Sequence, residues 1–128
     1  MAVKKNQRKF ARYGVGSLGV SLHRVGLLSL FSRQIDVRAI DFNAAGVAFR
    51  HSRPLNPGQS VLMDLATDQH RVSGVVAMVR YVTRMENHFR CGVEFDFDAN
   101  EHMRSSAVRD TLKNIETLLN EVVILTAE

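Results

Sequence analysis

Apolar and polar residues alternate with a period of two from Gln34 to Asp41 and again from Ser60 to Ala66, β-compatible runs lie around them, and the period changes near residue 98. From Gly14 to Phe31, small residues give way to β-compatible apolar ones broken by Gly26, which predicts a first strand or hairpin with a bend. Between Gln34 and Asp41, Ile35, Val37 and Ala39 fall on one side and Asp36 and Arg38 on the other, the pattern of a half-buried strand. A turn at Asn43 to Gly46 leads into a strand that begins Val47, Ala48, Phe49 and is ended by Pro54, Pro57 and Gly58. Ser60 to Ala66 resumes the alternation, with Val61, Met63 and Leu65 opposite Asp64, and Thr67 to Gln69 forms a hairpin connection. His70 to Thr83 is the longest β run, and Arg84 to Asn87 turns it into His88 to Phe95. The pattern predicts six strands.

After Asp98 the spacing becomes helical. Asp98 or Asn100 can cap a helix in which Val108, Leu112, Ile115, Leu119 and Val122 form one stripe, with Met103 and Leu118 beside them. The stripe spans two heptads, fewer than a coiled coil needs, so packing on the strands is preferred to a helix-mediated dimer. Strands in series followed by one helix predict a mainly β fold, a six-stranded antiparallel barrel or sandwich with a C-terminal helix. The domain expectation is a flexible basic arm over 1–13, a barrel over 14–98 and a helix over 99–123.

Composition narrows the class. The chain has 128 residues, of which 45% are hydrophobic and 23% charged, enough for one domain with its own core. A lone cysteine, Cys91, excludes an intrachain disulfide and a cysteine zinc cluster, and suits a reducing compartment, the cytoplasm by default. Net charge is +4, but residues 1–53 hold ten bases and two acids and residues 54–128 seven bases and eleven acids. This asymmetry favours a local site for an anion over a uniformly basic nucleic-acid wrapper. Lys4, Lys5, Arg8 and Lys9 ahead of an apolar run imitate a secretion signal, yet His23 and Arg24 interrupt the run, so neither a signal nor a membrane span is expected.

Candidate chemistry is sparse. Cys91 sits in an apolar strand and reads as a buried small hydrophobe rather than a nucleophile. His23, His51, His70, His88 and His102 lack metal-ligand spacing, so no metal site is expected. Glu94, Asp96 and Asp98 alternate at a strand end, as a solvated edge or a charge partner for the basic arm rather than an acid–base pair. No catalytic residue is assigned. Arg8 and Arg12 are the stronger candidates: two guanidinium forks on one arm can converge on a phosphate or on guanine O6 and N7. A solubilising basic tail explains the same residues more plainly. Asp41, with Asn43 and Gly46, offers a carboxylate acceptor for guanine N–H groups beside a glycine that permits close backbone approach, although on these residues alone an ordinary Asx turn is the preferred reading.

Taken in order, these pieces resemble the PilZ domain family. Arg8, Lys9, Phe10, Ala11 and Arg12 are similar to its RxxxR motif, and Asp41 through Gly46 to its [D/N]xSxxG motif. Leu55 to Leu62 (LNPGQSVL) and Cys91 to Phe95 (CGVEF) are similar to its L-x-P-G-x-x-V segment and its G-V-E-F last strand. The resemblance spans nearly residues 5–97 and departs at Asn43, where the family has serine. It implies a PilZ-like split barrel and a cyclic di-GMP receptor that is not an enzyme and needs no cofactor. It assigns ligand contacts to Arg8, Arg12, Asp41, Asn43 and Gly46, with Gln7 and Lys9 near the ligand. An unidentified protein effector is the implied partner, with no DNA and no membrane insertion, and the protein itself is expected to be a monomer or dimer. The alternative is an adaptor of the same family that has lost nucleotide binding, which Asn43 favours. A nucleic-acid-binding barrel stacking bases on Phe10, Tyr13, Phe42 and Phe49 is a third class.

Overall fold

Strands with one apolar face must bury it, and these six do so by curling the sheet until its edges meet. The computed structural model describes residues 10–12, 14–24 and 33–124. β1 (Phe10–Arg12) precedes the six barrel strands. Those are β2 (Gly19–Arg24), β3 (Arg33–Asn43), β4 (Gly46–His51), β5 (Ser60–Ala66), β6 (Arg71–Arg84) and β7 (Phe89–Phe95). They close in the order β2-β3-β4-β7-β6-β5, every pairing antiparallel. The fold class is therefore mainly β, a six-stranded antiparallel barrel with a C-terminal helix; the strand pattern leaves barrel or sandwich open, and the family resemblance implies the barrel.

The interior is filled by the predicted faces. Phe49, Met63, Leu65, Val75 and Cys91 are fully buried, and truncating a buried phenylalanine such as Phe49 costs about 3–5 kcal/mol. Three register shifts bend the wall. Ile40 on β3 and Arg80 on β6 are extra residues against their partner strands, and Ser73 and Gly74 on β6 oppose a shorter stretch of β5. Gly74 has φ +68°, a left-handed conformation that disfavours any side chain, and its N–H donates to Asp64 Oδ1 at 3.0 Å.

Two helices cover the end of the barrel at which β7 finishes. α1 (Glu101–Arg104) starts where Asn100 Oδ1 accepts from Met103 N at 2.8 Å, and α2 (Ser106–Asn120) follows at once. A single continuous helix is not what forms, because Ser105 bonds the backbone on both sides. Its hydroxyl donates to the His102 carbonyl at 2.6 Å and accepts from Val108 N at 3.4 Å, so residue 105 is extended and caps α2. Met103, Val108, Leu112, Ile115 and Leu119 join the barrel core. Val122, expected on the helical stripe, lies instead in β8 (Val122–Ile124), because Glu121 is already extended. β8 pairs antiparallel with β1, so part of the segment expected to be a loose arm is a strand, while residues 1–9 and 13 lie outside the described residues. Among the described residues, no helix is long and apolar enough to cross a membrane.

A half-buried hydrogen bond closes β2 on β5, with His23 Nε2 2.7 Å from Asp64 Oδ2. Burial pushes the Asp64 carboxyl up. The His23 hydrogen bond, the Gly74 N–H and the nearby His23 and Arg71 charges outweigh it and hold the carboxyl below its ordinary value. A depressed folded value stabilises the protein fully above the unfolded pKa of about 4, and the gain disappears as pH falls through the folded value. Asp64→Asn is therefore expected to lower the thermal midpoint at neutral pH, with the gap to wild type closing below about pH 4. Circular-dichroism melts across that range check this, and a gap of constant size down to the acid limit would remove the charge contribution.

Candidate functional site

The turn between β3 and β4 is held from two directions. Asn43 Oδ1 accepts from Ala45 N at 2.7 Å and Gly46 N at 3.0 Å, an Asx turn, while Glu116 of α2 accepts from Ala44 N at 3.1 Å. Asp41, two residues before Asn43, accepts from Phe42 N through Oδ1 at 2.9 Å, and its Oδ2 has no partner among the described residues. Two closures thus fix the backbone that carries Asp41, Asn43 and Gly46.

Beside this turn the barrel wall is hollow. Gly46 pairs with Glu94, and Ala48 pairs with Asp41 on one side and Gly92 on the other, which pairs in turn with Tyr81. Gly46, Ala48 and Gly92 carry almost no side chain, and they floor an open recess of about 250 Å³. The Tyr81 ring lies over Gly92 so closely that a Cβ there would collide with it. A Cβ on Gly46 would strike the Val93 carbonyl. Gly46 is required by space, because a Cβ there would meet backbone, whereas Gly92 is what lets the exposed Tyr81 ring lie where it does.

The extra residue at Arg80 turns that side chain into the recess wall, where its Nε donates to Glu94 Oε1 at 2.9 Å and its Nη2 bonds the same oxygen. Exposed pairs of this kind contribute little stability, about 0–1 kcal/mol, so the pairing matters mainly for the charge at the rim. The ionisable groups of the lining are Asp41, Glu94, Arg80 and the Tyr81 phenol, net −1 with the phenol neutral. The recess offers acceptors, donors and an aromatic wall, and no excess of positive charge.

Asp41, Asn43 and Gly46 are thus brought together in one recess. Arg12 lies in β1, whose partner β8 follows α2, and Gly14 N donates to Leu119 O at 3.0 Å, one turn beyond the Glu116 that holds Ala44. Arg8, Gln7 and Lys9 lie outside the described residues. Glu94 is the partner of Arg80 on the neighbouring strand. Cys91 is fully buried, and that burial raises its thiol pKa against a backbone hydrogen bond at Leu55, which disfavours the thiolate. Among the described residues, no group of three or more His, Cys, Asp or Glu is placed to hold a metal. The stacking barrel loses two of its aromatics: Phe42 and Phe49 are buried, Phe49 completely, because they occupy the inward positions of β3 and β4. A larger cavity of about 480 Å³ lies at the opposite end of the barrel among His23, His51, Leu55 and Val61, and holds none of the predicted site residues.

Residues 6–112 match the PilZ domain family, which covers most of the chain. The chain belongs to the PilZ family. PilZ domains are cyclic di-GMP receptors, typically binding domains rather than enzymes, and the closed six-stranded barrel with its C-terminal helix is consistent with the PilZ fold. No curated protein matches the chain. In this PilZ domain, sequence reasoning missed Arg80, Tyr81 and Gly92 as parts of one recess. Only the cross-strand register reveals them, since eleven positions of hairpin separate Tyr81 from Gly92.

The Asx turn makes a testable demand on Asn43. Asn43→Ala removes two turn hydrogen bonds and is expected to destabilise by about 1 kcal/mol, with Asn43→Ser retaining part of the loss because its hydroxyl still accepts. Urea denaturation measures the difference, and equal stability of all three proteins would show that the turn does not depend on residue 43.

Proposed function

We propose that this PilZ domain is a cyclic di-GMP receptor that binds its ligand in the recess between the β3–β4 turn and Tyr81. The observation that carries the reading is the convergence of Asp41, Asn43 and Gly46 on one cavity that also has an aromatic wall. Each element has a matching ligand group. The unpartnered Asp41 Oδ2 suits the ring N–H and amino group of guanine, a charge-assisted acceptor site. Asn43 spends its carbonyl on the turn, and its carboxamide N–H groups remain as donors. Gly46 lines the recess packed against the Val93 carbonyl, and the exposed Tyr81 ring gives a base a face to stack on.

Arg8 and Arg12 supply the cationic clamp from the N-terminal side. The recess is itself net negative, so a ligand with two phosphates requires positive charge from beyond it. Ligand binding changes the conformation of the N-terminal arm, and the altered surface signals to a protein effector in the cytoplasm without catalysis. The attachment of β1 to β8 supports this reading, because it ties the arm to the end of α2, and α2 holds the turn through Glu116.

A micromolar complex requires about 8 kcal/mol, and charged hydrogen bonds contribute about 1.5–3 kcal/mol each, so two arginines and one aspartate reach much of it. Titration calorimetry with cyclic di-GMP tests the clamp. Arg8→Ala and Arg12→Ala are each expected to lose about 1.5–3 kcal/mol, roughly ten-fold to over a hundred-fold in affinity. Equal binding by wild type and both variants removes the clamp, and absence of binding by wild type removes the receptor and leaves the adaptor.

A further inference from the structure

Directly beyond the recess, the outward positions of three neighbouring strands are all arginine. Arg38 on β3 pairs with Arg50 on β4, and Arg50 pairs with Arg90 on β7, so the three side chains leave the same face of the sheet in one row. None of them forms an ion pair among the described residues. Arg50 Nη2 donates to His88 Nδ1 at 3.2 Å, and Arg90 Nε donates to the Tyr81 hydroxyl at 3.4 Å. Like charges directly opposite across strands are unfavourable, and two such pairs in succession accumulate that cost. Asp36, two residues before Arg38 on the same face, lines a cavity with Arg50, but its carboxylate accepts from the Ser21 hydroxyl and forms an ion pair with none of the three among the described residues. Such a row is stabilised by an anion that sits across it.

Its position says which anion. The row lies two residues along β4 and β7 from Ala48 and Gly92, roughly 7 Å from the recess floor on the same face. It stands at the end of the recess away from the Asn43–Gly46 turn, and the Arg90 contact joins it to Tyr81, which walls the recess. We propose that Arg38, Arg50 and Arg90 form a second phosphate-binding element of the same site, which takes the part of the cyclic dinucleotide that extends past Tyr81 and Gly92. This rests on the receptor reading and adds a cationic end that the two sequence motifs do not contain. The recess supplies shape and guanine-edge hydrogen bonds while its own charge is net negative, and the row supplies the missing positive charge on the strand side.

The test titrates the full chain with cyclic di-GMP at about 50 and about 200 mM salt, comparing wild type with Arg38→Gln, Arg50→Gln, Arg90→Gln and the Arg50→Gln/Arg90→Gln double variant. Each single glutamine is expected to weaken binding about three- to ten-fold, the double variant more, and the salt dependence to become shallower with each charge removed. Arg50→Lys and Arg90→Lys keep the charge and are expected to keep most of the affinity and the wild-type salt slope. Thermal midpoints of the glutamine variants should equal or exceed wild type, since a like-charge contact is relieved. Unchanged affinity and salt slope in the double variant overturn the arginine row and leave the receptor intact. Lysine variants as weak as glutamine overturn it also, because charge is then not the cause. If wild type fails to bind, the receptor falls and the row with it.

Discussion

A closed antiparallel barrel sends every second side chain outward, so its wall can hold a hollow only where outward positions carry almost no side chain. In this protein those positions are Gly46 and Ala48 on β4 and Gly92 on β7, neighbours in the register of one sheet. Tyr81 can lie over Gly92 only because no Cβ stands there, and the β3–β4 turn can approach Val93 only because Gly46 has none. The register shifts at Ile40 and Arg80 flank the same hollow and re-aim the strands on its two sides. The interior imposes the complementary demand: Phe42, Phe49, Val79 and Cys91 fill the barrel behind the recess, so binding chemistry at this end sits on the wall.

Charge is arranged separately from shape. The lining of the recess carries two carboxylates and one guanidinium, which suits hydrogen bonds to a base edge and does nothing to attract a dianion. In the proposed complex, phosphate recognition is therefore delegated to groups around the recess, Arg8 and Arg12 from the arm and the arginine row on the strands. This division also separates the protein from a general nucleic-acid binder. Two of the aromatics that would stack successive bases are committed to the core, and the exposed Tyr81 serves one recess rather than a track.

Much of the barrel was legible in the sequence, because the signals are local: period-two alternation in β3 and β5, and β-compatible apolar runs bounded by turn residues in β4, β6 and β7. Asp41, Asn43 and Gly46 were legible for the same reason, lying within six residues of one another on a turn. What was hidden depends on pairing. The three-residue strands β1 and β8 are too short to show a period, and they pair from opposite ends of the chain. The break at Ser105 was masked because the apolar stripe continues across it and a serine reads as an ordinary surface residue. Arg80 and Tyr81 shift phase at a bulge, so alternation alone misplaces them. The Arg38, Arg50 and Arg90 row exists only in the cross-strand register, since the three residues are scattered over more than fifty positions of sequence.

The claim on which all of this depends is that the hollow beside the β3–β4 turn is where cyclic di-GMP sits, and an amide chemical-shift map of the full chain with and without the nucleotide tests it most directly. The account predicts the largest changes at Asp41, Asn43 to Gly46, Ala48, Tyr81 and Gly92, with smaller ones along the arginine row. A map without changes, or one whose changes gather around His23, His51, Leu55 and Val61 at the opposite end of the barrel, would contradict it.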